Sequence, residues 1–483
     1  MNGMALLPEL MLLLTLVGLL VGETIYSGES RRLLTSIALI GQLAALVQVL
    51  LVYQSGAQLI LEKTAAIDGI AIFFKFFFIL FGVISSAISV FSIEIKDGIK
   101  AEFHIFQLGA LLFLCLLASA VNLMLISVCL LALNITCYFL SSFSIRDKSR
   151  TSAGEKIYLF TSASFFLFLI PVVVLFGFTH SLSLFEIREA LVAQPLSPVA
   201  AATLTGFLFS SLLIQCGVFP FHFWFVDALE GTPTPTEFFM ITAIRGAGFI
   251  ILLRILGEWM SIPSAPFGNF WKEILVVGAL ASIGVGAVSA NFQSRLKRLL
   301  AYLVVAETGY WILALTELDT GSVAAALFGY MCDALSLCGA YLMFSENVDR
   351  TGNDLINQFG GLAKSSWVEY ACTAVFLLSF VGVPPLPGFY GKWLVIGTMF
   401  RNGNYALGIA VSLFILFQLG AVIKYLHSMI HNDGASEIKE PKTALAFRRR
   451  ALSVALVLPL LFSAVYLEKI LVWSETAIQF ILW

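Results

Sequence analysis

The sequence predicts an all-α polytopic membrane protein of about 14 transmembrane helices, and three observations predict it. Hydrophobic residues make up 59% of the 483 residues and charged residues only 12%, with a mean hydropathy of +0.94. A soluble domain carries roughly 25% charged residues. Apolar stretches of about 20 residues, the length that crosses a hydrocarbon core, recur along the whole chain. Two of these regions are interrupted. The first interruption is Val218-Phe219-Pro220-Phe221-His222-Phe223-Trp224, followed by Asp227, Glu230, Gly231, Pro233 and Pro235; the second is Val383-Pro384-Pro385-Leu386-Pro387-Gly388-Phe389-Tyr390-Gly391-Lys392. In lipid a broken helix is tolerated only where protein or a water-filled cavity surrounds the freed backbone groups. Two similar breaks in corresponding positions of two halves point to a transport pathway built on an internal repeat.

In chain order, the spans are expected at 5–25, 33–54, 70–92, 102–120, 122–144, 157–178, 199–219, 235–256, 273–292, 299–317, 322–345, 367–400 (broken), 405–430 and 451–468. The fourth and fifth almost abut at Asn122. The N-terminal stretch lacks a basic n-region, so it reads as a retained first helix and not as a cleaved signal. Basic residues set the orientation. Loops after odd-numbered spans hold eighteen of them, from Arg31 and Arg32 through Arg295, Lys297 and Arg298 to Arg448, Arg449 and Arg450. Loops after even-numbered spans hold only Lys63, Arg188, Lys272 and Arg401. Both termini are therefore expected on the non-cytoplasmic side. The polar run from Asn432 to Arg450 reads as a linker, and the tail from Leu467 as interfacial, anchored by Trp473 and Trp483.

A net charge of −2 gives no reason to expect nucleic acid. The seven cysteines lie singly in apolar segments without a CxxC pair. Iron–sulfur and zinc sites need clustered ligands, so no redox centre, cofactor or metal is expected on this chain.

Ionisable groups inside a bilayer are costly and are functional candidates by default. Here they are Lys75, His222, Glu237, Arg245, Arg254, Glu307, Asp333, Lys392 and Lys424, with Gln215 as a buried polar companion. Lys75 and Arg254 lie near enough to helix ends to snorkel. His222 follows a break, where it either relays protons or merely satisfies freed carbonyls. Glu237 and Arg245 are two turns apart on one face, about 12 Å along the axis. Asp333 has no partner nearby in the sequence, so a neighbouring helix must neutralise it or it is protonated. Lys392 follows the second break and, unlike an arginine, can release its proton when desolvated. It is the first candidate.

Taken together, Pro220 to Trp224 with Asp227, Gly231, Pro233, Pro235 and Arg245, the run Gln293 to Tyr302 with Gly309-Tyr310, and the second break with Gly388 to Lys392 resemble the signature of the antiporter-like subunits of respiratory complex I and its relatives. The resemblance covers spans 4 to 13. The opening Leu7-Pro8-Glu9-Leu10, the Asp68-Gly69 start of the third span and the overall length are most similar to the N branch of that family. It implies two inverted five-helix repeats, spans 4–8 and 9–13, each with a broken helix. The chain then divides into a three-helix segment (1–100), a first repeat (101–256), a second repeat (257–430), and a linker, last helix and tail (431–483). It also implies a proton path along a charged mid-membrane axis, in a bacterial inner membrane. Flavin mononucleotide, iron–sulfur clusters and quinone would belong to partner subunits of the membrane and peripheral arms.

This sequence departs from the family pattern. Leu131 stands where a glutamate is usual, Gln215 and Arg245 where lysines are usual, and Glu307 where a histidine is usual; the lysine of the second break survives as Lys392. Arginine does not hand on a proton and glutamine cannot hold one. Two readings follow: a rewired path through Glu237, Arg245, Glu307, Asp333 and Lys392, or a subunit that has lost pumping. A cation/proton antiporter of the Mrp type, an energy-converting hydrogenase or formate hydrogenlyase arm, and a subunit coupled to inorganic-carbon uptake share the same motifs.

Overall fold

The computed structural model describes the chain except residues 1–4, 26–30, 54–55, 57, 92–99, 143–147, 261–269, 352–353, 432–442, 467–468 and 470–483. Its helices are α1 (Leu7–Ile25), α2 (Arg31–Tyr53), α3 (Gly69–Phe91), α4 (Lys100–Ser119), α5 (Leu123–Ser142), α6 (Lys148–Thr179), α7 (Leu184–Ala193), α8 (Pro198–Cys216), α9 (His222–Gly231), α10 (Thr234–Ile255), α11 (Phe270–Ala290), α12 (Leu296–Leu315), α13 (Thr320–Thr351), α14 (Leu362–Ser365), α15 (Trp367–Val381), α16 (Pro387–Arg401), α17 (Tyr405–Ile430) and α18 (Thr443–Val465). Among the described residues, twelve helices are long and apolar enough to cross a membrane. The other two expected spans are made of shorter pieces: α15 and α16 flank the second break, and α18 supplies an apolar stretch from Arg450 to Ser463. Trp473 and Trp483 lie outside the described residues.

One connection was not expected. Residues Gln58–Ile60 (β1) and Ala65–Ile67 (β2) form a small antiparallel hairpin with Gln58 opposite Ile67. Leu61, Glu62 and Lys63 turn it in the left-handed region. It delivers the chain to Asp68, whose carboxylate caps α3 by accepting from the Ala71 amide at 2.8 Å.

Helix α10 is the centre of the bundle, and every residue from Thr234 to Met260 is buried. It packs against α3, α8 and α13. The sequence explains the fit on the α3 side: Phe74, Phe78 and Phe81 recur at helical spacing, and Phe74 meets Phe249 and Tyr330 edge-on or tilted at 5.9 and 5.4 Å. Between apolar helices in lipid, close packing replaces the hydrophobic driving force, so small residues sit at crossings. A Cβ on Gly286 would lie 2.5 Å from Tyr302 O, and one on Gly309 2.7 Å from Ala279 O, which is how α11 and α12 come together.

Candidate functional site

Both breaks follow from the same chemistry. In an unbroken helix the carbonyl of Val381 would accept from the amide four residues on, but that residue is Pro385 and has no N–H. Gly382 ends α15 in the left-handed region at φ +87. A Cβ there would lie 3.0 Å from Lys392 Cδ, so glycine also lets the lysine fold back under the break. The orphaned Val381 carbonyl accepts from Lys392 Nζ at 2.7 Å. At the first break Pro220 removes the partner of the Cys216 carbonyl in the same way, Gly217 turns at φ +65, and the Phe219 amide is caught by Ser282 Oγ at 2.9 Å.

Lys392 is only 4% exposed and Glu307 1%, and their Nζ and Oε1 atoms are 2.5 Å apart. Gln418 on α17 closes the triangle. Its Oε1 accepts from Lys392 at 2.9 Å, and its Nε2 donates to Glu307 at 3.0 Å. The ammonium also lies 4.7 Å from the centre of the Tyr310 ring. A charge-assisted contact, two neutral acceptors and an aromatic face together offset the desolvation of a buried ammonium.

Arg245 is fully buried one helix over. It donates from Nε to Ile241 O at 2.9 Å and from Nη1 to Thr308 Oγ1 at 3.0 Å. Its guanidinium lies 4.4 Å from the centre of the Trp311 ring, whose Nε1–H in turn donates to Asp333 at 2.6 Å. The structure therefore brings Arg245, Glu307, Asp333 and Lys392 into one buried neighbourhood on α10, α12, α13 and α16, with Trp311 between Arg245 and Asp333.

Glu237 belongs to a separate pair. It accepts from Tyr341 Oη at 2.8 Å, and Lys297 Nζ stands 3.8 Å from its other oxygen while donating to Thr232 O at 2.7 Å. Lys297, which its basic neighbours place in a loop by sequence, is buried in the first turn of α12. His222, at the start of α9, is half-buried, stacks on Phe219 at 5.8 Å and faces Tyr302. Its ring neighbours are Phe219, Phe223 and Tyr302, and among the described residues the structure places it outside the Lys392 cluster.

Gln215 is fully buried, and its Nε2 donates to Asn134 Oδ1 at 3.3 Å, while Asn134 donates to Thr161 O at 3.0 Å. Leu131, one turn away, lines an apolar hollow with Phe165, Leu169 and Val172. The first half of the chain thus holds an amide–amide contact where an ion pair was to be sought.

Lys75 and Arg254 do not snorkel. Lys75 is buried against Glu9 at 2.6 Å, and Arg254 grips both oxygens of Asp68 and donates to Ala118 O at 2.9 Å. Lys424 lies at the exposed end of α17 and not in the interior; it donates to Asn291 O at 3.0 Å and Gln293 O at 3.2 Å.

The family model described as NADH:quinone oxidoreductase/Mrp antiporter, transmembrane, matches residues 120–417. The chain is 29% identical over 420 residues to the NADH-quinone oxidoreductase subunit N of Chlorobium chlorochromatii, covering 84% of this chain and 80% of that protein. A chain of respiratory complex I from Thermus thermophilus shares the fold at a TM-score of 0.80 and 24% identity, over 96% of this chain and 98% of that one. A chain of the Mrp complex from Dietzia sp. does so at 0.84 and 16%, over 100% and 98%.

Proposed function

Starting from the premise that this chain belongs to the NADH:quinone oxidoreductase/Mrp antiporter transmembrane family, we propose that it is the N-type membrane-arm subunit of a proton-translocating quinone oxidoreductase. Its own part is to carry protons along the buried groups Lys392, Glu307 and Asp333, in the fixed field of Arg245. Other membrane and peripheral subunits, holding flavin mononucleotide, iron–sulfur clusters and the quinone site, supply the redox chemistry, and energy reaches this chain as a conformational or electrostatic signal. The membrane is a bacterial inner membrane, with both termini on its non-cytoplasmic side.

One observation carries the reading: the ion pair of Lys392 and Glu307, 2.5 Å apart beneath a helix break. Taking two charges out of water costs several kcal/mol each, and an apolar pair of similar volume is often no less stable. Such a pair is therefore better explained by use than by stability. Transfer of one proton from Lys392 Nζ to Glu307 Oε1 converts ammonium and carboxylate into amine and carboxylic acid, with no change in net charge. A charge approaching along the axis biases that transfer. Arg245 stays charged and sets the local field without giving up a proton. Asp333, steadied by the Trp311 N–H, is the second acid that can receive one. Glu237, with Tyr341 and Lys297, offers a separate acid–amine step at the end of the bundle that carries Arg295 and Arg298.

The test is to isolate the tagged full-length chain in mild detergent and identify what accompanies it by mass spectrometry. Iron–sulfur, flavin and quinone-site subunits are expected. Recovery with other multi-helix antiporter subunits alone would replace this reading with an Mrp-type cation/proton antiporter, which the shared fold also accommodates.

A further inference from the structure

A cavity of about 400 Å³ opens at the end of the bundle that carries Arg295 and Arg298. Gln293 and Ser294, Leu355 to Asn357, and Lys424, His427, Ser428 and His431 line it. Its floor is rigid: Leu296 N donates to Asp354 O at 2.9 Å and Ile356 N to Ser294 O at 2.9 Å, so the α11–α12 link and the segment after α13 pair like two short strands. Lys424 is held in the wall by bonds to the carbonyls of Asn291 and Gln293, which use two of its three N–H donors. The rings of His427 and His431 stack at 3.9 Å. His431 Nδ1 lies 3.1 Å from the His427 carbonyl, and a carbonyl can only accept, so Nδ1 carries a proton; it is the imidazolium form, with Nε2–H as second donor, that can hold an anion. No carboxylate lines the cavity among the described residues. The neighbouring Asp354 is engaged by Arg295 at 3.8 Å, and α14, which packs on α17, adds only Lys364 to the charges nearby. The chemistry asks for an anion.

The rest of α17 says which anion. Ile409, Leu413, Leu416, Ile423 and Ile430 are exposed and form one stripe at helical spacing, and His427 falls on the same stripe. From Ile409 to His427 the helix rises about 27 Å, close to the roughly 30 Å of a hydrocarbon core. The apolar stripe therefore fits acyl chains, and it runs out at the level where a headgroup would lie. We propose that this cavity seats the phosphate of an anionic phospholipid, held by Lys424 and the two imidazoles, with its chains along the outward face of α17. Basic pockets between transmembrane helices are suited to such headgroups.

The test uses the purified full-length chain in detergent, supplied with phosphatidylglycerol, with phosphatidylcholine, or with inorganic phosphate, and counts bound molecules by native mass spectrometry. Preferential retention of phosphatidylglycerol is expected, with roughly fivefold weaker binding in Lys424→Gln and weaker binding in His431→Gln. Lys424→Arg keeps the charge and should keep the lipid, which separates lost recognition from lost folding. Equal retention of the two lipids, unchanged binding in both neutral variants, or loss in Lys424→Arg as great as in Lys424→Gln would overturn the proposal. So would displacement of phosphatidylglycerol by millimolar phosphate, which would make this a site for soluble anions.

Discussion

Glu307 on α12 and Lys392 on α16 are 85 residues apart in sequence and 2.5 Å apart in space, with Gln418 bonded to both. Removing the lysine leaves a buried carboxylate with one amide donor. Lys392→Met is therefore expected to cost about 3–5 kcal/mol of stability and to abolish proton movement in proteoliposomes of the assembled complex. Lys392→Met combined with Glu307→Gln should recover much of the stability and none of the transport. Transport that survives in the double variant would remove this pair from the path.

Gln215 and Asn134 make the opposite test. Gln215→Lys alone buries an ammonium against a single amide oxygen and is expected to destabilise by about 3 kcal/mol or more. Adding Asn134→Asp supplies the missing carboxylate and should restore most of that loss in a thermal-unfolding cycle. If the amide pair interrupts the first-half relay, the double variant also raises proton flux above wild type. An unchanged flux would mark the pair as a spacer.

Trp311 has two jobs that one substitution separates. Trp311→Phe keeps an aromatic face for Arg245 but deletes the N–H that Asp333 accepts at 2.6 Å. A hydrogen bond to a charged group contributes about 1.5–3 kcal/mol, and a stability loss of that size is expected, together with slower proton transport. Wild-type transport in a well-folded Trp311→Phe variant would show that Asp333 needs no donor to work.

Glu9 and Lys75 meet at 2.6 Å outside the Lys392 neighbourhood. Either Glu9→Gln or Lys75→Met should lower the unfolding temperature, at about 3–5 kcal/mol for an unpaired buried charge. Both together should restore it with transport unchanged. A double variant that folds yet fails to translocate would bring this pair into the mechanism.

The membrane spans and both breaks were legible because each rests on local chemistry: apolar runs of spanning length, and prolines that orphan a carbonyl. Lys392, Glu307, Asp333 and Arg245 were legible one at a time, as charges in apolar surroundings. Which of them meet was not, since α12, α13 and α16 come together only through tertiary packing. Asn134 and Gln418 passed unnoticed as neutral amides in apolar runs, and Trp311 as one more bulky core residue. Lys297 was hidden by Arg295 and Arg298 on either side, which made a buried amine look like part of a loop. Glu9 carried a signal, an acid in the first turn of the first span, but nothing nearby in the sequence pointed to Lys75.

The burial of α10 bears on how the chain is made. It holds Glu237, Arg245 and Arg254, with Glu258 in the turn that follows, and no side of it faces outward. Each central charge costs about 2.5–3.5 kcal/mol when a segment leaves the translocon for lipid by itself. Asp68, which neutralises Arg254, has already been synthesised when α10 emerges; Thr308 and Trp311, which hold the Arg245 guanidinium, have not. Biogenesis therefore passes through an interval in which half of this helix is satisfied and half is waiting. A ribosome stalled between α10 and α12 would expose a segment that the insertion machinery, and not the bilayer, must shelter.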